Sequence, residues 1–526
     1  MDGRFRPSAA DRGVALARWA VVADLGRRGY ALGLALAVAL GAALRLQRVL
    51  PADFPLHDGG LIYSMVGDLQ AASFRLPLYS SYNGGQVPFA YPPLGLYLAA
   101  ALDRMTPAST LDLLRFLPLA LSLLTVAAFA LLARSLLPSR GAALAAALLF
   151  AAYSEGFAWF IMGGGLPRSL GLLLALLSLL WLHRLYAERR PAYAWASGLA
   201  GGLALLSHLE MAWFLGLSGL LLFLAYGLRD PFCRRWTALA ALGALVAAAP
   251  WWATVLARHG PATLLAPGAS RGLFSLADLS WVLRSHLSQL PAFALILALA
   301  LVGSAVAVAC GRRLLLVWLA VGALAAPWLF PRLTGLPLYL LAGLGWWRAV
   351  RPWGMGAAAA LSGALGLAVA IATALDPLPI DEPLSGEARQ AMAWAAANTP
   401  PASRFLVVEN RIWWDNPAAE WLPALSGRLS VVTPQGLEWV PGAFLGRARA
   451  YDQLQACAEK GADCLAAWAA DTGIAFDYVW VSKEVPYPLR RQGRDDCCAP
   501  LRHSLGEAPD YEPVYDGPGA TIFRRR

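Results

Sequence analysis

The chain has 526 residues, of which 58% are hydrophobic and only 14% charged, with a formal net charge of +10 and a mean hydropathy of +0.53. Soluble domains carry about 25% charged residues, so an ordinary water-soluble globule is excluded and a polytopic α-helical membrane protein is expected. The positive balance does not point to nucleic acid, because the basic residues stand in short clusters between apolar runs and are not interleaved with aromatics.

At the N-terminus, Arg4, Arg6, Arg12, Arg18, Arg27 and Arg28 precede the apolar run from Tyr30 to Leu44. No small-residue cleavage site closes that run, so it reads as an uncleaved signal anchor with residues 1–29 in the cytoplasm. Taking about 17 to 25 apolar residues as one crossing, spans are expected near 30–46, 113–133, 141–158, 167–183, 193–207, 210–226, 236–256, 290–310, 313–330, 335–347 and 353–375. That makes about eleven transmembrane helices within residues 30–375.

The first connection, residues 47–91, is long and polar and holds Asp53, His57, Asp58 and Asp68. Its Pro and Gly clusters mark an ordered loop, and long ordered loops on membrane proteins usually carry function. The apolar run 91–102 opens with Pro92 and Pro93 and is too short to cross comfortably, so it is expected to be re-entrant or broken. On that basis the arginine clusters at 134 and 140, 184 to 190, 229 to 235, 312 and 313, and 348 and 351 all fall on the cytoplasmic side. The same parity puts loop 47–91, Glu155, the Gly163–Arg168 turn, the His208–Glu210 turn, the loop 258–289 and everything after Asp376 outside.

Residues 376–526 return to soluble composition and are expected to form an exterior α/β domain. Ser385 caps a helix running to Asn398, residues 451–472 form a second helix, and 405–408, 478–481 and 521–523 read as strands. Cys457, Cys464, Cys497 and Cys498 lie here, on the oxidising side, and are expected to form disulfides. Vicinal pairing of Cys497 with Cys498 is disfavoured, which leaves each bonded back to Cys457 or Cys464. No CxxC pair or neighbouring His pair supports zinc.

Several residues can carry chemistry. Asp58, in LHDGG, is either an N-cap for a helix beginning near Gly60 or a general base at the membrane surface. Asp68 follows on a helical pattern as a supporting residue. Glu155 and the turn FIMGGGLPRSLG place a carboxylate, Arg168 and three glycines together, and open glycine N–H groups at a helix start suit a phosphate. In SHLE, His208 and Glu210 either cap a helix or join Asp58 around a divalent cation such as Mg or Mn. Arg45, Arg48 and Arg115 stand at the expected outer ends of their spans, where they snorkel or neutralise a phosphate. Trp413, Trp414, Trp421 and Trp439 either stack on sugars or build a core.

Asp58 in the first exterior loop, Tyr91-Pro92-Pro93-Leu94, the Arg115 span ending in LLARSLLPSRGAALAAALLF, and a C-terminal exterior domain together resemble the GT-C fold membrane glycosyltransferases. The likeness is nearest the protein O-mannosyltransferase and aminoarabinose transferase branch, while GGGLPRSLG, SHLE and EWLPALSGR look like segments of uncharacterised bacterial members. The chain departs from the branch in having Asp58-Gly59 where an Asp-Glu pair is usual. The resemblance implies inverting transfer of a sugar from a polyprenyl-phosphate donor, its lipid tail in the membrane, to an exterior acceptor that is a glycan, lipid or protein. Asp58 would be the base, and Arg168, Arg45, Arg48 or Arg115 would hold the phosphate. A transporter or flippase of lipid-linked sugars, and a non-catalytic scaffold, are the alternative readings.

Overall fold

The structure, a computed structural model, describes residues 24–270, 291–325, 333, 335–375, 378–485, 490, 493 and 495–526. Arg4, Arg6, Arg12 and Arg18, the expected loop beyond residue 270, the end of span 313–330 and Asp376 lie outside the described residues.

The first apolar run forms α1 (Arg27–Val49), and the polar loop then folds into α2 (Gly60–Ala71), β1 (Tyr79–Ser80) and β2 (Val87–Pro88). Next comes α3 (Leu94–Met105), whose 12 residues are too few to cross a bilayer. Helix α4 (Thr110–Leu136) starts at a capping box in which Ser109 and Asp112 satisfy each other's backbone amides. It is followed by α5 (Arg140–Ala152), α6 (Gly165–Glu188), α7 (Pro191–Leu205), α8 (Leu209–Leu222) and α9 (Pro231–Ala269). The bundle closes with α10 (Pro291–Ala309), α11 (Arg313–Ala325), α12 (Leu336–Val350) and α13 (Met355–Leu375).

Seven helices among the described residues are long and apolar enough to cross a membrane, or eight if the bent pair 140–152 and 154–160 is one span. Three further expected spans are shorter helices over the described residues: α7 has 15 residues, α12 has 15, and α11 is described over 13, up to the point where the rest of span 313–330 lies outside the described residues. The span expected at 141–158 breaks after Ala152, where Tyr153 becomes extended and the chain turns by 92°. Conversely, the loop expected from Arg258 begins as helix: α9 continues beyond a kink at Gly260 (φ 77°), with Pro261 fitting the first turn of the new segment. Large apolar side chains such as Leu36, Leu124, Leu220, Leu245 and Leu301 remain exposed around the bundle, a surface that suits lipid. The chain is a multi-pass membrane protein.

The bundle packs through small residues. A Cβ on Gly303 of α10 would sit 1.8 Å from the Leu341 carbonyl oxygen of α12, and one on Gly345 would sit 2.2 Å from that of Leu299. Such backbone approach is how apolar helices gain dispersion contacts where no water drives them together.

After residue 378 the chain builds a sheet layer. Helix α14 (Gly386–Asn398) is capped by the Ser385 hydroxyl, which accepts from the Ala388 amide at 2.9 Å. Then follow β3 (Arg404–Val408), α15 (Pro417–Ser426), β4 (Leu429–Ser430), α16 (Ala443–Gln455), α17 (Ala462–Thr472), β5 (Tyr478–Ser482), α18 (Ala499–Glu507), β6 (Tyr511–Asp516) and β7 (Ala520–Arg525). The strand order is β4-β3-β5-β7-β6, with β3 parallel to β4 and β5, and β7 antiparallel to β5 and β6. The single helix expected over 451–472 is two, split by a reversal at Gly461 (φ 107°). That reversal brings the Cα atoms of Cys457 and Cys464 to 5.5 Å. The expected disulfide pairing is therefore corrected: Cys457 bonds Cys464, and Cys497 bonds its neighbour Cys498 at the start of α18.

Two cores result. One lies among the bundle helices. In the other, Phe54, Ile62, Met65, Tyr82 and Phe89 of the first loop pack in one cluster with Phe405–Val408, Trp421 and Val479–Val481 of the sheet layer. Loop 47–91 is thus folded by residues more than 300 positions later in the chain.

Candidate active site

The path of the first loop is set at two unusual backbone positions, His57 (φ 54°) and Gly59 (φ 132°), which flank Asp58. Any Cβ at Gly59 would press on Trp421 and Gly163, both at 3.0 Å, so this position needs glycine for conformation and for space. The Asp58 side chain is then held from both sides. Its Oδ1 accepts from the Gly164 amide at 2.8 Å, and its Oδ2 accepts from Arg168 Nη2 at 2.9 Å. Arg168 Nη1 donates to the Trp159 carbonyl at 2.9 Å, which leaves three of its five N–H donors for other partners.

The glycine turn was expected to leave its amides open for a phosphate; the structure uses them differently. Gly163 donates to the Leu56 carbonyl at 2.9 Å, Gly164 to Asp58, and Gly165 to the Met162 carbonyl at 2.9 Å. A Cβ on Gly163 would lie 2.1 Å from the Asp58 carbonyl oxygen, so the glycines admit the Asp58 loop itself. The N-terminus of α6 meets the Asp58 carboxylate, an anion favoured there by the helix dipole.

A second carboxylate arrives from the sheet layer. Asn416 caps α15 by accepting from the Ala419 amide at 2.8 Å, with Pro417 in the first turn. That sets Glu420 against the start of α2, where its Oε1 accepts from the amides of Gly59 at 3.0 Å and Leu61 at 3.4 Å. Glu420, not Asp58, therefore satisfies the first amides of α2. Burial, and then the charge of Asp58, push the Glu420 carboxyl up to about 8, against the pull of the Gly59 and Leu61 amides and of Arg168. The adjoining Trp421 Nε1 donates to the His57 carbonyl at 2.9 Å, and the Tyr82 hydroxyl donates to the Glu420 carbonyl at 2.8 Å. His57 Nε2 faces Asp415 Oδ1 at 3.1 Å.

Tyr91 forms a further wall, its ring edge-on to His208 at 6.0 Å and to Trp439 at 5.9 Å. Burial pushes its phenol up; the charge of Arg168 opposes this, while those of Glu210, Asp58 and Glu438 reinforce it. Sequence reasoning did not name Glu420, Glu438 or Tyr91 as candidate site residues, although Tyr91-Pro92-Pro93-Leu94 and EWLPALSGR, which hold Tyr91 and Glu420, were among the segments that carried the resemblance.

His208 takes the capping role, its Nδ1 accepting from the Glu210 amide at 3.2 Å. Its joining Asp58 and Glu210 around a divalent cation does not fit. Both Asp58 oxygens are engaged, one by a guanidinium that repels a cation, and no group of three His, Cys, Asp or Glu residues able to hold a metal exists among the described residues.

The other expected residues go elsewhere. Arg45 is fully buried in the bundle, bonded to Ser122 Oγ and to the carbonyls of Gly41 and Ala151, with its guanidinium 4.3 Å from the Phe157 ring centroid. Arg48 pairs with Asp381 and donates to the Thr373 carbonyl at 2.9 Å. Arg115 donates to the carbonyls of Val49 and Leu50, which closes the end of α1. These three tie helix ends together rather than converge on Asp58. Asp68 accepts from Ser80 Oγ at 2.7 Å and the Ser81 amide at 2.9 Å, fixing the turn into β1. Glu155 is buried in the bend after α5. Of the four tryptophans, Trp421 and Trp439 are core, Trp413 packs edge-on to Phe444, and Trp414 is exposed beside Trp159 with ring centroids 5.8 Å apart.

Residues 90–253 match the family model of dolichyl-phosphate-mannose-protein mannosyltransferases. No sequence among the curated proteins matches this chain. Among solved structures, the arabinofuranosyltransferase AftD from Mycobacteria is similar over 96% of this chain with 19% identity and a TM-score of 0.53, and this chain spans only 40% of its length. An oligosaccharyltransferase from Archaeoglobus fulgidus, in complex with Zn and sulfate, is similar over 93% of this chain and 73% of its own, with 14% identity and a TM-score of 0.52. The Archaeoglobus fulgidus oligosaccharyltransferase AglB, in complex with an inhibitory peptide and a dolichol-phosphate, is similar over 86% of this chain and 69% of its own, with 14% identity and a TM-score of 0.50. The chain therefore has the GT-C fold of the membrane glycosyltransferases.

Proposed function

We propose that this protein transfers a sugar from a polyprenyl-phosphate donor to an acceptor hydroxyl at the exterior face of the membrane, with Asp58 as general base and Arg168 holding the donor phosphate. The observation that carries this reading is the pair itself. A carboxylate and a guanidinium 2.9 Å apart meet at a helix N-terminus, on a fold shared with enzymes of lipid-linked sugar transfer. The exterior placement follows from the arginine parity of the loops, which also keeps the N-terminus cytoplasmic.

In the reaction, the acceptor oxygen attacks the anomeric carbon and the bond from that carbon to the phosphate oxygen breaks. The electron pair leaves on the phosphate as polyprenyl phosphate, the acceptor proton passes to Asp58, and configuration inverts. Arg168, already anchored by the Trp159 carbonyl, presents fixed positive charge where negative charge grows on the departing phosphate. Such preorganisation needs no reorientation during the step. No metal takes part in this reading. The polar residues gather where the sheet layer meets the bundle, and this asymmetry favours an enzyme over a transporter with a midplane site.

A panel of polyprenyl-phosphate sugars assayed with purified protein tests the proposal. Asp58→Asn should lower turnover about 100-fold to 10,000-fold while donor binding survives. Arg168→Ala should weaken donor binding and turnover together, because it removes charge that the bound phosphate already meets. Wild-type protein that binds no donor in the panel, or Asp58→Asn protein that turns over normally, would overturn it.

A further inference from the structure

The transfer reaction above gives Glu420 no role, yet its side chain holds the amide of the residue that follows Asp58. It is 6% exposed, and its Oε1 takes the amide protons of Gly59, the residue after Asp58, and of Leu61. Two more bonds join the same helix to the same loop, Tyr82 Oη to the Glu420 carbonyl and Trp421 Nε1 to the His57 carbonyl. A Cβ on Gly60 would lie 2.6 Å from the Glu420 carbonyl oxygen, so the loop is moulded on α15.

Holding two amides needs only a carbonyl oxygen, which a glutamine would supply. A buried carboxyl beside another acid is electrostatically unfavourable, and it differs from an amide in making stronger bonds to the two N–H groups when ionised and in being able to take up or lose a proton. It is an ionisable group beside the Asp58–Arg168 pair.

We propose that Glu420 is a positioning residue of the catalytic centre: through the Gly59 and Leu61 amides it holds the Asp58 loop against α6, and its charge sets how tightly the anionic donor binds. This rests on the reading of Asp58 and Arg168 as the transfer site. The groups facing Glu420 are Asp58 from the loop and Arg168 from α6, with Tyr82 from the turn before β2. Glu438 adds charge on the Tyr82 side, and Glu210 and Glu438 both bear on Tyr91 across the site. Burial is the largest influence and moves ionisation to about 8, so the switch falls in the alkaline range. Above it, one further negative charge stands near the phosphate and Arg168 is shared among more carboxylates.

The test is the affinity of purified wild-type, Glu420→Gln and Glu420→Ala proteins in nanodiscs for polyprenyl monophosphate, from pH 7 to pH 9, with thermal unfolding in parallel. Comparing proteins at each pH cancels the titration of the lipid's own phosphate. Wild-type affinity should fall about tenfold across the range, while Glu420→Gln, which keeps the oxygen that accepts from Gly59 and Leu61, should stay level and unfold normally. Glu420→Ala should bind more weakly at every pH and unfold at lower temperature, because two buried amides lose their acceptor. An equal alkaline fall in Glu420→Gln would overturn the proposal, as would loss of its binding at neutral pH. Failure of the wild-type protein to bind the lipid at any pH would instead count against the glycosyltransferase reading itself.

Discussion

The two cores of this protein are built on opposite terms. In the bundle, α5, α10 and α12 approach through glycine and alanine, and most buried side chains are apolar; Arg45, whose Nε and Nη1 donate to a hydroxyl and two carbonyls, and Glu155 are buried charged residues among them. Where loop 47–91 meets the sheet layer, an apolar cluster is joined by specific polar contacts, with Glu420 on Gly59, Trp421 on His57 and His57 opposite Asp415, while Asp58 reaches across to Arg168 of the bundle. The first core needs only complementary shape. The second needs particular donors and acceptors, and chemistry can be placed only there.

That contrast can be broken from either side. The largest effect should come from the bundle: Gly303→Ala puts a methyl group where 1.8 Å separates its carbon from the Leu341 oxygen, so α10 and α12 must move apart. A loss of about 3 kcal/mol is expected, read as reduced yield and lower unfolding temperature in detergent. The protein that does fold should keep the wild-type turnover per molecule, because α10 and α12 supply no group to the site. Reduced turnover of the folded fraction would show that the two cores are not separable.

The smaller effect belongs to the loop and sheet core. Burial raises the carboxyls of Glu420 to about 8 and of Glu409 to about 7, well above their ordinary range near 4.5. Both groups bind their protons more tightly folded than unfolded, so their contribution is fully present below about pH 4.5 and is lost as pH rises through 7 to 8. Unfolding temperature should therefore be a few degrees lower at pH 9 than at pH 6, and Glu409→Gln should reduce that difference. A melting temperature that rises across the interval would contradict the assignment.

The difference between the cores also explains what the sequence revealed. Apolar runs and arginine clusters are local signals, so each segment expected to cross is largely helical where described, although 141–158 is bent and α7 and α12 have only 15 residues each. Ser385 as a cap and the strands at 405 and 478 were legible for the same reason. Asp58 and Arg168 stood out as charges in charge-poor surroundings, but their direct pairing, 110 residues apart in sequence, did not. Nor did Glu420, which lies 361 residues from the amide it binds. Spacing carries no information about such partners. Arg45, Arg48 and Arg115 shared Arg168's composition signal, and only tertiary structure shows that Arg115 closes a helix end, Arg48 pairs with Asp381 and Arg168 with Asp58.

The most direct measurement is a cryo-EM map of the protein bound to polyprenyl monophosphate in a lipid nanodisc. The phosphate should lie within hydrogen-bonding distance of the Arg168 guanidinium, beside Asp58, with the lipid tail running down between bundle helices. Density for the phosphate at Arg48 or Arg115, with the Asp58–Arg168 pair undisturbed and distant, would contradict the account.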